Sequence, residues 1–330
     1  MKRAVVIALA AHFGSLRTTL ALFALLGAVV LLRPALWPLS LVIGALALNL
    51  AAALVVHPAL RLKLPLLVSH LALLALVVLV AIGRLTALDG RFELTQGVPF
   101  DGTLIDRDAG LLHVDRLQSL VFQHHGFEID YAPGRKRGAT RNGVTWQGDD
   151  GQPRSAVIGD HHPLLLQGHR FYTSPNKGFA PLLRWVPERG EPQLGAVHLP
   201  SFPAQELQQS RAWLLPDGRE AWVMLHIDDK LIDPMAETRF TMPQQFRLVV
   251  RIGEQRAELT PGQSLAVSGG SLVFEELRTW MGYRVAYDPS LPWLLAAALL
   301  AALALGVHYV QKFSGAARPA PQHLRGARLG

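Results

Sequence analysis

The sequence predicts an integral membrane protein: four transmembrane α-helices, three N-terminal and one C-terminal, with a β-rich extracytoplasmic domain between helices three and four. Half of the 330 residues are hydrophobic and 17% are charged, a more apolar composition than soluble domains have. All 25 acidic residues lie between Asp89 and Asp288, together with 21 of the 32 lysines and arginines. Four uncharged apolar runs lie outside that stretch. A mildly acidic middle between apolar, basic ends is typical of a membrane protein with a large domain on one side.

The four apolar runs predict the helices, because a helix needs about 20 mostly apolar residues to cross the hydrocarbon of a bilayer. We expect the first run to be lengthened by a snorkelling Arg33 and by the PALWP sequence after it. Residues 4–16 predict an interfacial helix rather than a signal peptide, because no small-residue cleavage site precedes Arg17. The runs lie between Arg17 and Arg33, Arg33 and Arg61, Lys63 and Arg84, and Asp288 and Lys312. The predicted domains are residues 1–85 (three helices), 86–288 (β-rich), 289–311 (fourth helix) and 312–330 (basic tail).

The lysines and arginines of the short flanks predict the orientation, because these residues resist translocation. With both termini in the cytoplasm, nine basic residues lie inside and only Arg33 and Arg84 flank the outer ends of the helices. The acidic domain then lies outside. The net charge of +7 therefore belongs to the membrane flanks, and we expect a lipid bilayer and no nucleic acid as a partner. The nine are Lys2, Arg3, Arg17, Arg61, Lys63, Lys312, Arg318, Arg325 and Arg328.

The outer domain is predicted to be a sandwich or open barrel of antiparallel strands, arranged in one or two lobes. Turn residues predict hairpins at Pro216–Glu220 and Thr260–Gln263. Alternating or β-branched runs at Phe127, His169 and Phe246 predict further strands. The polar stretch RKRGATRNG at Arg135 predicts a mobile loop. No helical period appears between residues 89 and 280.

Several function classes are excluded or lack support. The chain has no cysteine, which excludes disulfides, cysteine metal sites, a thiol nucleophile and a CxxCH haem-attachment motif. No GxSxG, HExxH, phosphate-binding loop or dinucleotide fingerprint occurs in a suitable setting. We therefore predict no catalytic residue, and any redox chemistry would be carried by a bound group.

His70 is the candidate with the sharpest signal, because it lies inside the third apolar run, where an ionisable side chain is expensive and usually has a partner or a ligand. One interpretation is a neutral imidazole hydrogen-bonded to Asn49 or Ser69. The other is a ligand of haem or another membrane-embedded molecule, since neutral imidazole is a common axial ligand of haem iron.

The remaining histidines have simpler interpretations. His57 and His308 lie near helix ends, where such side chains commonly reach towards headgroups. The pairs His124–His125 and His161–His162, the latter followed by His169, resemble metal clusters. Adjacent residues of a strand point to opposite faces, so we favour solvated histidines over a metal site.

The layout and three local sequences resemble the ResB (CcsB) family of cytochrome c biogenesis proteins. GSLRTTLALFALLG is similar to that family's Ser-Leu-Arg start of the first helix, and SHLALLALVVLVAIG to its third helix. The segment from Ser271, SLVFEELRTWMGYRVAYDPSLPWLLAAALLAALALGVHY, is similar to the family's closing strand and last helix, with Ser290 where relatives often have glycine. The middle, from Asp89 to Gly270, is only loosely similar and shorter.

The resemblance implies a multi-pass protein of the bacterial cytoplasmic membrane that handles haem b in transit and delivers it to apocytochrome c. It also implies a CcsA-type partner, a non-catalytic role within a haem lyase complex, and a role for His70 as ligand of the haem iron. Arg61 and Lys63 lie just before His70 and are placed to meet haem propionates, although they also serve as the positive-inside signal. Two other function classes remain: a membrane-anchored scaffold without haem, and a transporter or quinone-linked subunit, which predicts more polar intramembrane residues than His70 and Asn49.

Overall fold

The computed structural model describes residues 11–32 and 36–316, which form two compact units. The helical unit contains the chain up to Ala87, the short segment Ala109–His113 and the chain from Asp288 onward. The sheet unit contains Leu88–Asp108 and Val114–Tyr287. Of the expected interfacial helix, residues 4–10 lie outside the described part, and residues 11–13 are helical. Arg33 and residues 317–330 of the predicted tail also lie outside it.

Four apolar helices are present, as the sequence predicts: α1 (Leu16–Leu32), α2 (Leu36–Val56), α3 (Leu64–Thr86) and α4 (Leu291–Ala316). The predicted extension of the first helix by PALWP is wrong, because α2 begins within that sequence at Leu36. A 3₁₀ turn at Pro58–Leu60 precedes α3. By length and composition α2, α3 and α4 are able to cross a membrane, whereas α1, with 17 residues, is shorter than these three helices. The crossing of a bilayer itself stays a prediction.

Helix α3 packs against both α2 and α4. Its start is fixed by a proline in the first turn, where the missing N–H has no helical partner to lose. Near its end, Gly83 allows the start of α4 to approach closely: a Cβ there would lie 2.6 Å from Ser290 Oγ. Ser290 is itself held by Asp288, whose Oδ1 accepts hydrogen bonds from the Ser290 hydroxyl at 2.6 Å and from its backbone N–H at 2.9 Å.

The sheet unit is β-rich as predicted, with three sheets and, in every strand pair of known register, antiparallel pairing. The seven-stranded sheet has the order β2-β1-β15-β7-β6, with β14 on β15 and β8 on β7. The two four-stranded sheets have the orders β13-β12-β10-β9 and β11-β3-β4-β5. The strands are β1 (Leu88–Thr95), β2 (Asp106–Ala109), β3 (Phe122–Ala132), β4 (Lys136–Gln147), β5 (Pro153–Ile158), β6 (Leu164–Leu166), β7 (His169–Pro187), β8 (Gln193–Ala196), β9 (Ser210–Leu214), β10 (Glu220–Ile227), β11 (Thr238–Arg239), β12 (Phe246–Ile252), β13 (Gln255–Leu259), β14 (Ser264–Val267) and β15 (Gly270–Tyr287).

Two long strands, β7 and β15, link two clusters of buried side chains. At one end of the pair, Leu183 and Phe274 join the apolar core shared with the sheet that contains β10 and β12. At the other end, Phe171 and Tyr283 pack against Phe122 of β3, with ring centroids 5.2 to 5.8 Å from that of Phe122. β3 also contributes Ile129 and Tyr131 to the first cluster, so its sheet borders both clusters.

Most local predictions for this unit are confirmed. Strands begin at or span Phe127, His169 and Phe246, and the Pro216–Glu220 turn joins β9 to β10 with Glu220 opposite Leu214. Between residues 89 and 280, all of which are described, helical structure is limited to two 3₁₀ turns, Leu117–Ser119 and Glu206–Gln208.

Two local predictions are wrong. The turn at Thr260–Gln263 does not close a hairpin, because β13 pairs with β12 while β14 pairs with β15 in another sheet. The stretch at Arg135 is not a mobile loop, because all but its first residue belong to β4, which pairs with β3 along its length. Its polar residues serve the sheet: Thr140 and Asn142 are buried on one face, while Arg141 on the other pairs with Asp130 at 2.9 Å.

Candidate functional site

His70 lies in the first half of α3, seven residues after Lys63. Its Nδ1 is 2.8 Å from the carbonyl oxygen of Leu66, one turn earlier. A carbonyl only accepts, so Nδ1 carries the proton and donates, and in the neutral ring the lone pair is on Nε2. Metal-binding histidines commonly fix their tautomer in this way, with one nitrogen donating to a backbone carbonyl and the other free to bind the metal. The half-exposed ring therefore fits an axial ligand of haem.

Of the two hydrogen-bond partners predicted for His70, Asn49 is engaged in other bonds and Ser69 lies within hydrogen-bond distance. Asn49 is buried, accepts from the Thr19 hydroxyl at 2.8 Å and donates to the carbonyl of Phe13. The Ser69 hydroxyl donates to the Leu66 carbonyl at 2.8 Å and lies 3.4 Å from His70 Nδ1. The partners of His70 are thus the Leu66 carbonyl, at the shorter distance, and the Ser69 hydroxyl, both on its own helix.

Arg61 and Lys63 are exposed and flank the start of α3, where Lys63 is the N-cap residue. The axial rise from Lys63 to His70 is about 10 Å at 1.5 Å per residue. Both cations therefore belong to the end of α3 that is nearer to His70.

Two further histidines of the helical unit, His57 and His308, have protein neighbours. His57 Nε2 lies 3.2 Å from the carbonyl oxygen of Gly14. Gly14 itself lies against α2, since a Cβ there would be 2.7 Å from the backbone nitrogen of Ala53. The ring of His308 on α4 lies beside that of Tyr309, with centroids 5.7 Å apart. His57 therefore ties the N-terminal segment to the end of α2.

His124 and His125 point to opposite faces of β3, one buried and one exposed, as strand geometry predicts. His124 Nε2 donates to the Leu94 carbonyl at 2.9 Å, and Nδ1 accepts from the Gly126 N–H at 3.2 Å. Burial lowers the pKa of His124 to about 4, against the raising effect of the Leu94 carbonyl. This histidine is a neutral, fully bonded core residue.

The second histidine pair, His161 and His162, is exposed in a bend before β6, and His169 is buried in β7. The ring of His169 stacks on Tyr287, with centroids 4.5 Å apart. Within residues 11–32 and 36–316, no group of three histidine, aspartate or glutamate side chains has the arrangement of a metal site.

The sheet unit contains a hydrogen-bonded hydroxyl, imidazole and carboxylate that the sequence does not predict. His198 Nδ1 lies 2.8 Å from Glu93 Oε2, and its Nε2 lies 2.8 Å from the Thr95 hydroxyl. The ring stacks on Trp280 with centroids 5.3 Å apart. Thr95 is only 5% exposed and pairs with Trp280 in the sheet, so its hydroxyl has no open approach for a substrate. The hydrogen bonds of His198 join β1 to the segment after β8, and no local pattern reveals them because Glu93 and His198 are 105 residues apart.

A cavity of about 790 Å³ in the sheet unit is lined by residues of β1, β7, β15 and the chain near β2 and β6. Its walls carry both signs of charge, including Arg91, Asp106 and Asp160. Asp160 binds Arg137 and accepts from the Thr173 hydroxyl at 3.3 Å. Close by, burial and the charge of Arg137 lower the pKa of Lys177 to about 8. The cavity suits a polar group or a peptide segment rather than an apolar ring.

No family model matches the sequence, and no curated protein matches it. The resemblance to the ResB family therefore rests on the local sequences quoted above and on the layout of helices and sheets.

Proposed function

We propose that this chain is a ResB-type subunit of a haem-delivery complex in the bacterial cytoplasmic membrane. In this proposal it handles haem b as cargo and passes it, with a CcsA-type partner, to apocytochrome c on the outer face. The observation that carries the proposal is the hydrogen bond from His70 Nδ1 to the Leu66 carbonyl, which leaves Nε2 able to bind iron.

The membrane location is supported by three helices of sufficient length, α2, α3 and α4. The distribution of lysines and arginines supports a topology of four crossings, α1 included, with both termini in the cytoplasm and the sheet unit outside. His70 then lies nearer the cytoplasmic end of α3, where haem would arrive.

The cargo matches the chemistry of this end of α3. The haem ring is apolar and its propionates are anionic, so a ring between helices needs an axial ligand and cations near its carboxylates. His70 supplies one axial ligand, and Arg61 and Lys63 supply the cations. A low-spin haem usually needs a second axial ligand. We assign that ligand to the CcsA-type partner, and the chain alone is expected to bind haem weakly.

The test is a His70→Ala variant co-expressed with a CcsA-type partner, with His57→Ala as the matched control because His57 contacts the Gly14 carbonyl. We expect the wild-type and His57→Ala complexes to purify with a Soret absorption band. The His70→Ala complex should assemble but lose most of that band, and added imidazole should restore it by occupying the vacated axial site. Unchanged haem content and unchanged cytochrome c maturation in His70→Ala would contradict the proposal.

A second candidate function is a membrane-anchored scaffold whose outer domain holds a partner without haem. The mixed-charge cavity of about 790 Å³ favours it, because such walls suit a polar peptide. The scaffold predicts no Soret band in the wild-type or the His70→Ala complex, and wild-type partner capture in the His70→Ala variant. The two functions are therefore separated by the same experiment.

A further inference from the structure

The short segment Ala109–His113, here called the anchor loop, is bound to the end of α3. The Gly110 N–H donates to the Ala87 carbonyl at 2.9 Å, and the Leu112 N–H donates to the Leu85 carbonyl at 2.7 Å. His113 Nδ1 lies 2.9 Å from the Thr86 carbonyl. A side chain at Gly110 would overlap the carbonyl group of Leu85. The anchor loop therefore lies directly against the last turn of the helix.

These contacts satisfy groups that a helix end leaves unpaired. The last four carbonyls of an α-helix have no intrahelical donor, and an unpaired carbonyl costs free energy wherever protein or lipid excludes water. Leu85, Thr86 and Ala87 obtain their donors from the anchor loop. The carbonyls at the end of α3 are thus hydrogen-bonded by the protein itself.

The anchor loop presents leucines while its backbone holds the helix. Leu111 is 86% exposed and Leu112 is 63% exposed. The loop sequence, Ala-Gly-Leu-Leu-His, contains no acidic residue, lysine or arginine. Two neighbouring exposed leucines are thereby held at the level of Leu85, next to the last residue of the candidate span Leu64–Thr86.

Two interfacial residue types occur at the same level of the helical unit. Arg84 is exposed in the last turn of α3, and Trp293 is 67% exposed in the first turn of α4. The approach of Gly83 to Ser290 brings these two helix ends together. Arginine and tryptophan are favoured where hydrocarbon meets headgroups.

We propose that the anchor loop lies in the outer interfacial layer of the bilayer, with Leu111 and Leu112 in contact with lipid. The proposal rests on the membrane location of α3 given under the proposed function. The occupant of this apolar surface is lipid, because the loop continues the surface of a membrane span at the level marked by Arg84 and Trp293.

The test uses the absence of cysteine from the chain. Leu111→Cys is labelled with a nitroxide in protein reconstituted in phospholipid nanodiscs. Its accessibility to oxygen, which partitions into lipid, is compared with that to a water-soluble nickel chelate. Leu73→Cys, exposed on α3 inside the candidate span, gives the lipid reference. Asp149→Cys, at an exposed charged position, gives the aqueous reference.

We expect the oxygen-to-nickel ratio of the Leu111 label to lie between those of the two references and well above that of the Asp149 label, because the interfacial layer is more hydrated than the middle of the span, where Leu73 lies. Adding Gly110→Val, which displaces the loop from the Leu85 carbonyl, should move the ratio of the Leu111 label towards that of Asp149. A Leu111 ratio equal to that of Asp149, with the Leu73 label still in lipid, would overturn the proposed lipid contact of the anchor loop and leave the proposed function standing. A Leu111 label shielded from both reagents would also overturn it and indicate a covering protein. An aqueous Leu73 label would overturn the membrane location of α3 and the proposed function with it.

Discussion

His124 makes the stability of the sheet unit depend on pH. Its pKa is lowered to about 4 in the folded protein, chiefly by burial, from about 6.5 in an unfolded chain. Between these two values the unfolded chain binds more protons than the folded one, so stability rises with pH across that window. The dependence vanishes above about pH 6.5, where both states hold a neutral ring.

The corresponding prediction compares His124→Gln with wild type. The variant has no imidazole to protonate. Between pH 4.5 and 6.5, its free energy of unfolding should therefore rise less steeply with pH than that of wild type, by up to about 1.4 kcal/mol per pH unit. Urea unfolding of the detergent-solubilised chain, followed by tryptophan fluorescence, measures it. His125→Gln, at the exposed neighbour, should keep the wild-type slope. A His124→Gln slope equal to that of wild type would contradict the prediction.

Single residues could be predicted where one general rule decides. His70 stood out because an ionisable group in an apolar run is expensive, and the opposite orientations of His124 and His125 followed from strand geometry. The chain from Glu93 through His198 to Thr95 could not be found, because it depends on segments that meet only in the folded sheet. The hydrogen bond of His70 to the Leu66 carbonyl could not be predicted either, because it depends on the rotamer of the His70 side chain.

At the scale of elements, the contact between α3 and α4 depends on a glycine. A Cβ at Gly83 would lie 2.6 Å from Ser290 Oγ and 3.1 Å from Asp288 Oδ1. Small residues let neighbouring membrane helices approach closely, and here the space is filled by the serine that Asp288 holds.

We predict that Gly83→Ala destabilises the helical unit by about 1 to 3 kcal/mol through overpacking. Ser290→Gly should restore part of this loss, because it removes the nearest atom. Gly27→Ala on α1 is the control, since nothing lies within 4 Å of a Cβ there. Thermal aggregation in detergent, followed by size-exclusion chromatography, measures the effect. Equal midpoints for Gly83→Ala and Gly27→Ala would rule out the proposed overpacking.

The elements themselves were predictable to different degrees. The four apolar helices and the hairpin at Pro216–Glu220 follow from local composition and turn residues. The hairpin prediction at Thr260–Gln263 was wrong because a local pattern indicates two strands but not which strands they pair with. Here β14 pairs with β15 and not with β13. The loop prediction after Arg135 was wrong because β4 buries polar residues that form hydrogen bonds to other strands. Asn142, for example, accepts a hydrogen bond from the Tyr283 hydroxyl at 2.5 Å.

At the scale of the whole molecule, the charge distribution predicts a topology. Reporter insertions at Gly151, in the turn between β4 and β5, should be active only outside the cytoplasm. Fusions after Lys312 should be active only inside, because the basic flanks resist translocation. Paired alkaline phosphatase and green fluorescent protein reporters measure both. Cytoplasmic activity at Gly151 would contradict the topology and the delivery of haem to the outer face.

The pairing of the first and last strands of the sheet unit has a consequence for biosynthesis. β1 pairs with β15 from Leu88 opposite Tyr287 to Thr95 opposite Trp280, and β15 also pairs with β7. The seven-stranded sheet thus cannot close before β15 has been made, and α4 begins only four residues after Tyr287. Until then β1 and β7 lack their shared partner, and such long-range pairing is slow and leaves strand edges exposed. During synthesis the segment that begins with β1 must therefore be kept from aggregating until β15 is available to pair with β1 and β7.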